Sequence, residues 1–205
     1  MSRNAHGAGS SIRRVVLHVE DARHAKKDKI SKEARGLALR ALLPHFKYHP
    51  DPLATGNIQQ RQTLCPVCEQ VREYVYVGPF WAKDDVSGIC PWCIKDGSAA
   101  TKYRGAFQNP EDCEEAAPEF WDELLFRTPG YLGWEQPLWP IHHHDFCVFL
   151  GYMKWKEIES RLLEFAEDID HDGIFSRTEL YQIGNRLEGY LFQCVVCGKH
   201  RLIVM

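Results

Sequence analysis

The sequence predicts an α+β fold, a small zinc-stabilised domain, on three observations. Six of the eight cysteines fall in three C-x-x-C pairs: Cys65/Cys68, Cys90/Cys93 and Cys194/Cys197. Alternating or apolar strand-like stretches adjoin these pairs, as in "REYVYVG" (72–78) and "YLFQCVVCGKHRLIV" (190–204). Elsewhere apolar residues recur at helical spacing, as in "KEIESRLLEFAEDI" (156–169). The expected architecture is treble-clef or zinc-ribbon-like knuckles with short strands and several helices.

The chain has 205 residues, enough for one domain with attachments or two small ones. Hydrophobic residues make up 44% and aromatics 12%, a composition that builds a core and excludes a disordered chain. No apolar run reaches eighteen residues, and "MSRNAHGAGSS" lacks the apolar centre of a signal peptide, so a cytoplasmic protein is expected. In a reducing compartment, repeated C-x-x-C pairs point to metal before disulfides. Charge is split along the chain. Residues 1–42 hold ten Lys/Arg and four Asp/Glu, a net +6; residues 43–205 hold fifteen and twenty-four, a net −9. A basic arm therefore precedes an acidic body suited to a basic partner.

In chain order, residues 1–11 read as a tail and "EDARHAKKDKISKEARGLALRALL" (20–43) as a helix ending before Pro44. "LPHFKYHPDPLATGNI" (43–58), with its three prolines, reads as an extended lead-in. The first knuckle "CPVC" follows, then the strand over 72–78. "CPWC" (90–93) leads into "IKDGSAATKY", a short helix despite Gly97. "PEFWDELLFR" (118–127) is helical, with proline at its first position. "YLGWEQPLWP" (131–140) reads as loop and "DFCVFLGYMKW" (145–155) as an apolar stretch. Helices are expected over 156–169 and 177–188, and a closing strand pair surrounds the last knuckle.

Zinc takes four thiolate or imidazole ligands at tetrahedral corners, so a knuckle needs two more from elsewhere. Twenty-one residues separate Cys68 from Cys90, one beyond the usual spacing, and a hairpin between them followed by the helix after Cys93 would complete a treble clef around Cys65, Cys68, Cys90 and Cys93. Cys194 and Cys197 then find partners in "WPIHHHDFC", which offers His142, His143, His144 and Cys147. His143 and Cys147 have ligand spacing, which makes a second site of His143, Cys147, Cys194 and Cys197. The alternative pairs the first and last knuckles and leaves Cys90 and Cys93 for His143 and Cys147. Cys113 reads as a bystander thiol. A dithiol redox role for "CPWC" would need a βαβ context that is missing. Sites closed by four protein ligands hold a fold together and leave no position for a reacting water.

"DIDHDGIFSRTE" (168–179) matches the pattern of a calcium loop, D-x-D-x-D-G-x5-E. Asp168, Asp170, Asp172, Ile174, Ser176 and Glu179 would be the ligands, Ile174 through its carbonyl, with Gly173 at the turn. No second loop exists to pair with it. Three methionines in the whole chain do not furnish the groove of a calcium sensor.

The stretches "LPHFKYHPDPLATGNI", "CPVC", "GPFWAKDDVSGICPWCIKDGSAA", "RTPGYLGWEQPLW", "HHHDFCVFLGY" and "YLFQCVVCGKHR" together resemble the CbrC family of small bacterial proteins over about residues 43–205. The resemblance implies a link to tolerance of a DNase colicin and brings no enzymatic activity with it. In that family a cysteine stands where this chain has His143, close to the counterpart of Cys147. The exchange of one zinc ligand type for another singles out His143.

The expectation is a non-enzymatic protein that binds a protein partner, such as a basic bacteriocin-type toxin. No nucleophile–base pair, phosphate loop or G-x-S-x-G elbow stands in the sequence. Two alternatives remain: a metal-dependent hydrolase using the 142–147 cluster, and a zinc-knuckle nucleic-acid binder acting through the 1–42 arm.

Overall fold

The computed structural model describes residues 43–109, 116–133, 138–172, 177–184 and 187–204, with the side chains of 170–172 and 177 outside the description. The helix expected over 20–43 (Leu43 apart) and Cys113 lie outside the described residues. The architecture below belongs to the unit Pro44–Met205.

The fold is α+β. Strand β1 (Ile58–Leu64) pairs antiparallel with β2 (Val71–Tyr76). Helices α1 (Pro91–Lys95) and α2 (Ser98–Tyr103) follow, then a 3-10 turn (Pro118–Phe120) running into α3 (Trp121–Arg127). A small hairpin joins β3 (Ile141–His142) to β4 (Asp145–Phe146). Strand β5 (Val148–Lys154) opens a three-stranded antiparallel sheet, β5-β6-β7, completed by β6 (Glu188–Gln193) and β7 (His200–Val204). Helices α4 (Trp155–Glu159), α5 (Ala166–Asp172) and α6 (Arg177–Ile183) lie between β5 and β6.

Each departure from the expected elements has a local cause. The hairpin expected between Cys68 and Cys90 forms instead around the first knuckle, because β2 turns back onto β1. "IKDGSAATKY" is two helices, broken where Gly97 takes φ +77°. The single helix expected over 156–169 is interrupted between Glu159 and Ala166, and Leu163 in that interval is 89% exposed. The long apolar stretch 145–155 is strand, with one extra residue at Leu150 that shifts its register against β6.

Among the described residues, two core clusters hold the sheet and its flanking helices. Around the sheet, Tyr131 stacks on Phe149 at 4.6 Å and meets Trp139, Tyr190 and Phe192 at 5.0–5.6 Å. Such pairs add roughly 0.5–1.5 kcal/mol beyond the area they bury. The lead-in is pinned here: the Phe149 amide donates to the Tyr48 carbonyl at 2.8 Å, and Phe46, Tyr48 and His49 are fully buried. At the other end Trp155, Ile158, Phe165, Ile169 and Leu180 pack α4–α6 against Leu202 and Val204 of β7. Among the described residues no helix is long and apolar enough to cross a membrane.

Candidate metal centres

Both outer knuckles are the tips of antiparallel hairpins, and the two turns share one backbone pattern. At the first, the Cys65 amide donates to the Gln70 carbonyl and the Glu69 amide to the Cys65 carbonyl, both at 2.9 Å. At the last, the Cys194 amide donates to Lys199 at 2.9 Å and the Gly198 amide to Cys194 at 3.0 Å. Each turn closes through a left-handed residue, Glu69 (φ +57°) or Gly198 (φ +72°). This path sets the two sulfurs of a C-x-x-C pair on one side of the turn.

The first knuckle meets the start of α1. Cys90 is the extended residue before the helix, Pro91 occupies its first turn, and Cys93 lies one turn in. The four sulfur ligand atoms of Cys65, Cys68, Cys90 and Cys93 lie within 4.8 Å of one another. Cys65 to Cys93 is 3.9 Å and Cys68 to Cys90 is 4.0 Å. Four sulfurs about 2.3 Å from one tetrahedral zinc are about 3.8 Å apart, whereas a disulfide holds its sulfurs at about 2.0 Å. The group therefore fits a zinc ion and could hold one.

Its charge is managed locally. Burial pushes the Cys68 thiol up, but hydrogen bonds from Arg72 and from the backbone at Gln70 outweigh it and bring the pKa down to about 7. Burial raises Cys90 to about 11 and raises Cys93 further. The Cys90 amide donates to the Cys65 sulfur at 3.4 Å. Arg72, set 5.2 Å from the Trp92 ring centre, supplies positive charge beside a site that carries net negative charge as four thiolates. Four protein ligands complete a tetrahedron, the pattern of a structural site.

The last knuckle meets the β3–β4 hairpin. His143 and His144 form its two-residue turn with φ of +57° and +59°, the mirror-image turn that hairpins favour. Histidine is one of the few side chains enriched in this left-handed region. The turn brings His142 and His143 to the knuckle together, with ring centres 4.1 Å apart. Cys194 Sγ lies 3.6 Å from His143 Nδ1, and Cys197 Sγ lies 3.6 Å from His142 Nδ1. Zinc–sulfur and zinc–nitrogen bonds of about 2.3 and 2.05 Å give a tetrahedral edge of about 3.6 Å. His142, His143, Cys194 and Cys197 thus form a second group that could hold zinc. Burial raises the Cys194 thiol, yet hydrogen bonds from His143, from the Cys197 backbone and from His142 take it down to about 6. The Val196 amide adds a contact to its sulfur at 3.3 Å.

Of the two ways to pair the knuckles, the structure brings together the first with Cys90/Cys93 and the last with the histidine segment. The second ligand set needs one correction: Cys147 is outside it and His142 is inside. Ligand spacing of four residues serves a helix, but 142–147 is a tight hairpin that carries Cys147 past the cluster into the core. Cys147 is fully buried, its carbonyl accepts the Trp139 indole N–H at 2.6 Å, and burial raises its thiol to about 12. Asp145 is also engaged. It accepts from Tyr48 at 2.5 Å, from Lys47 at 2.9 Å and from the Phe146 amide at 2.8 Å.

The calcium pattern over 168–179 falls largely outside the described residues. The backbone of 168–172 belongs to helix α5 rather than to a loop, and the side chains of Asp170 and Asp172 lie outside the described residues. Asp168 is 5% exposed and accepts from Arg201 Nε at 2.5 Å and the Leu202 amide at 2.9 Å, tying α5 to β7. Ile174 and Ser176 lie outside the described residues, and Glu179 is in α6. Calcium at this place has no support in the structure.

Residues 43–204 match the model of a family described as "Uncharacterised protein family (UPF0167)". A UPF0167 protein of Mycobacterium bovis is 35% identical over 184 residues, covering 77% of this chain and 90% of that protein. One from Mycobacterium tuberculosis matches equally, and one from Pseudomonas aeruginosa is 36% identical over 167 residues, with 77% and 93% covered. No solved structure matches the chain. The family model spans both knuckles and both of their partner segments, and by that match and these relatives the chain belongs to the UPF0167 family.

Proposed function

We propose that this is a zinc-stabilised, non-enzymatic bacterial protein of the cytoplasm, holding two structural zinc ions and acting by binding a protein partner. One observation carries the reading: two preformed groups of four ligands, each with tetrahedral edge lengths and each made wholly of protein side chains. A hydrolytic metal keeps an open position for water; the second group fills all four positions with His142, His143, Cys194 and Cys197. This weighs against the hydrolase reading at the 142–147 segment. The partner class follows from the net −9 of residues 43–205 and from the resemblance to the CbrC family, which together favour a cationic protein such as a DNase colicin. The 1–42 arm, net +6, would serve a separate interaction.

Elemental analysis of tag-free protein tests the metal reading. Two zincs per chain are expected, with His142→Ala losing one, Cys147→Ala keeping both and Cys65→Ser losing the fold together with its metal. One zinc or none in the unaltered protein sinks the two-site reading. Titration of a purified colicin DNase domain tests the partner: binding that weakens steeply with salt is expected, and no binding at low ionic strength removes this partner class.

A further inference from the structure

Helices α2 and α3, with the segment from Arg104 to Asn109, border an open cleft of about 810 Å³. That is the size of a small-molecule site. Its wall differs in charge from the rest of the body. Arg104 and Arg127 line it with one acid, Asp122, which is engaged to Arg127 at 2.6 Å. The lining is thus net positive on a body of net −9, which marks the cleft for an anion. Two further features point to more than a simple oxyanion. Trp81, on the lining, is 52% exposed, an indole left to solvent in a chain that buries most of its large aromatic side chains. Gln108, also on the lining, is 2% exposed, and neither its carboxamide nitrogen nor its oxygen has a hydrogen-bond partner. A shielded, unpaired carboxamide costs stability, and native proteins rarely keep one without a use. A bare oxyanion would engage the guanidinium groups and leave the indole and the carboxamide without a role.

We propose that this cleft binds a nucleoside monophosphate. Arg104 and Arg127 supply donors and charge for the phosphate. Trp81 supplies a face on which a base stacks. Gln108 carries a donor beside an acceptor, the pair that a base edge matches; its carboxamide lies behind the cleft wall near Gly130 and, in this proposal, rotates toward the cleft on binding. The site is separate from both metal centres and does not depend on the partner reading.

Calorimetric titration of the full, zinc-loaded chain with AMP, GMP and UMP tests the proposal, with the matching nucleosides and inorganic phosphate as controls. One of the three nucleotides is expected to bind one per chain, at least tenfold tighter than its nucleoside or phosphate. Arg104→Ala and Trp81→Ala, both at exposed positions, should each weaken it at least tenfold. Gln108→Leu should weaken it as much while raising the melting temperature, because the unpaired carboxamide is gone; a packing role alone would lower that temperature. No binding by any nucleotide overturns the proposal. Binding that survives Arg104→Ala and Trp81→Ala places the nucleotide elsewhere, such as the basic arm, and overturns it as well. Phosphate binding as tight as the nucleotide removes the base from the reading.

Discussion

His49 shows how one side chain couples the lead-in to pH. It is fully buried, and its Nδ1–H donates to the Pro129 carbonyl at 2.8 Å, which leaves Nε2 to accept from Thr55 Oγ1 at 2.7 Å. Burial is the main cause that lowers its pKa to about 4, against the favourable Pro129 carbonyl and Asp51 charge. The unfolded chain takes up this proton near pH 6.5 and the folded chain only near pH 4. Stability is therefore fully present above about pH 6.5, falls by about 3 kcal/mol as pH drops to about 4, and then levels. His49→Gln, which can keep both hydrogen bonds, should flatten this part of a denaturation–pH curve; an unchanged slope would move the effect to other groups. Asp168 makes a second case at this scale. Asp168→Ala should cost about 3 kcal/mol by stranding Arg201 and the Leu202 amide. Millimolar calcium should not move the melting temperature of the unaltered protein, and a calcium-dependent rise lost in the variant would restore the calcium site.

At the scale of elements, the two knuckles follow one backbone path with different residues at the left-handed position. Glycine at 198 adopts φ +72° without strain, whereas Glu69 adopts φ +57° at a cost of order 1 kcal/mol. Glu69→Gly should raise stability by up to about 1 kcal/mol, less the small exposed pairing with Lys102 at 3.4 Å. Gly198→Ala should lower it by a similar amount and loosen the second metal group, since a Cβ there meets nothing closer than 3.9 Å and only backbone strain acts. Paired thermal melts would read both signs, and shifts of the same sign at the two turns would refute their equivalence. The β3–β4 hairpin carries the parallel lesson for ligand choice. The histidine run was visible in sequence, but which members face the metal depended on a two-residue turn that sets His142 and His143 side by side.

For the whole molecule, the two metal groups differ in burial. Cys65, Cys90 and Cys93 are at most 3% exposed, while Cys197 and His143 are at the surface. With both groups loaded, a chromogenic chelator should strip zinc in two phases, the second group first. Loss of the first group's zinc should coincide with unfolding, because structural zinc energy is folding energy. A single phase, or His142→Ala leaving the fast phase in place, would contradict this order. The acidic surface adds that any cationic partner should dissociate as salt rises.

Sequence alone determined the α+β class and named seven of the eight residues that lie in the two groups able to hold a metal, because ligand chemistry and C-x-x-C spacing are local properties. It did not reveal strand β1, whose "IQQRQTL" shows no alternation because most of that ribbon faces solvent. Nor could it choose His142 over Cys147, or show that the acidic run at 168–172 is helix tied to Arg201. Those outcomes rest on a hairpin turn, on burial and on an ion pair between elements more than thirty residues apart in sequence. The cleft beside Gln108 has the same origin: only packing decides which polar groups lose their water.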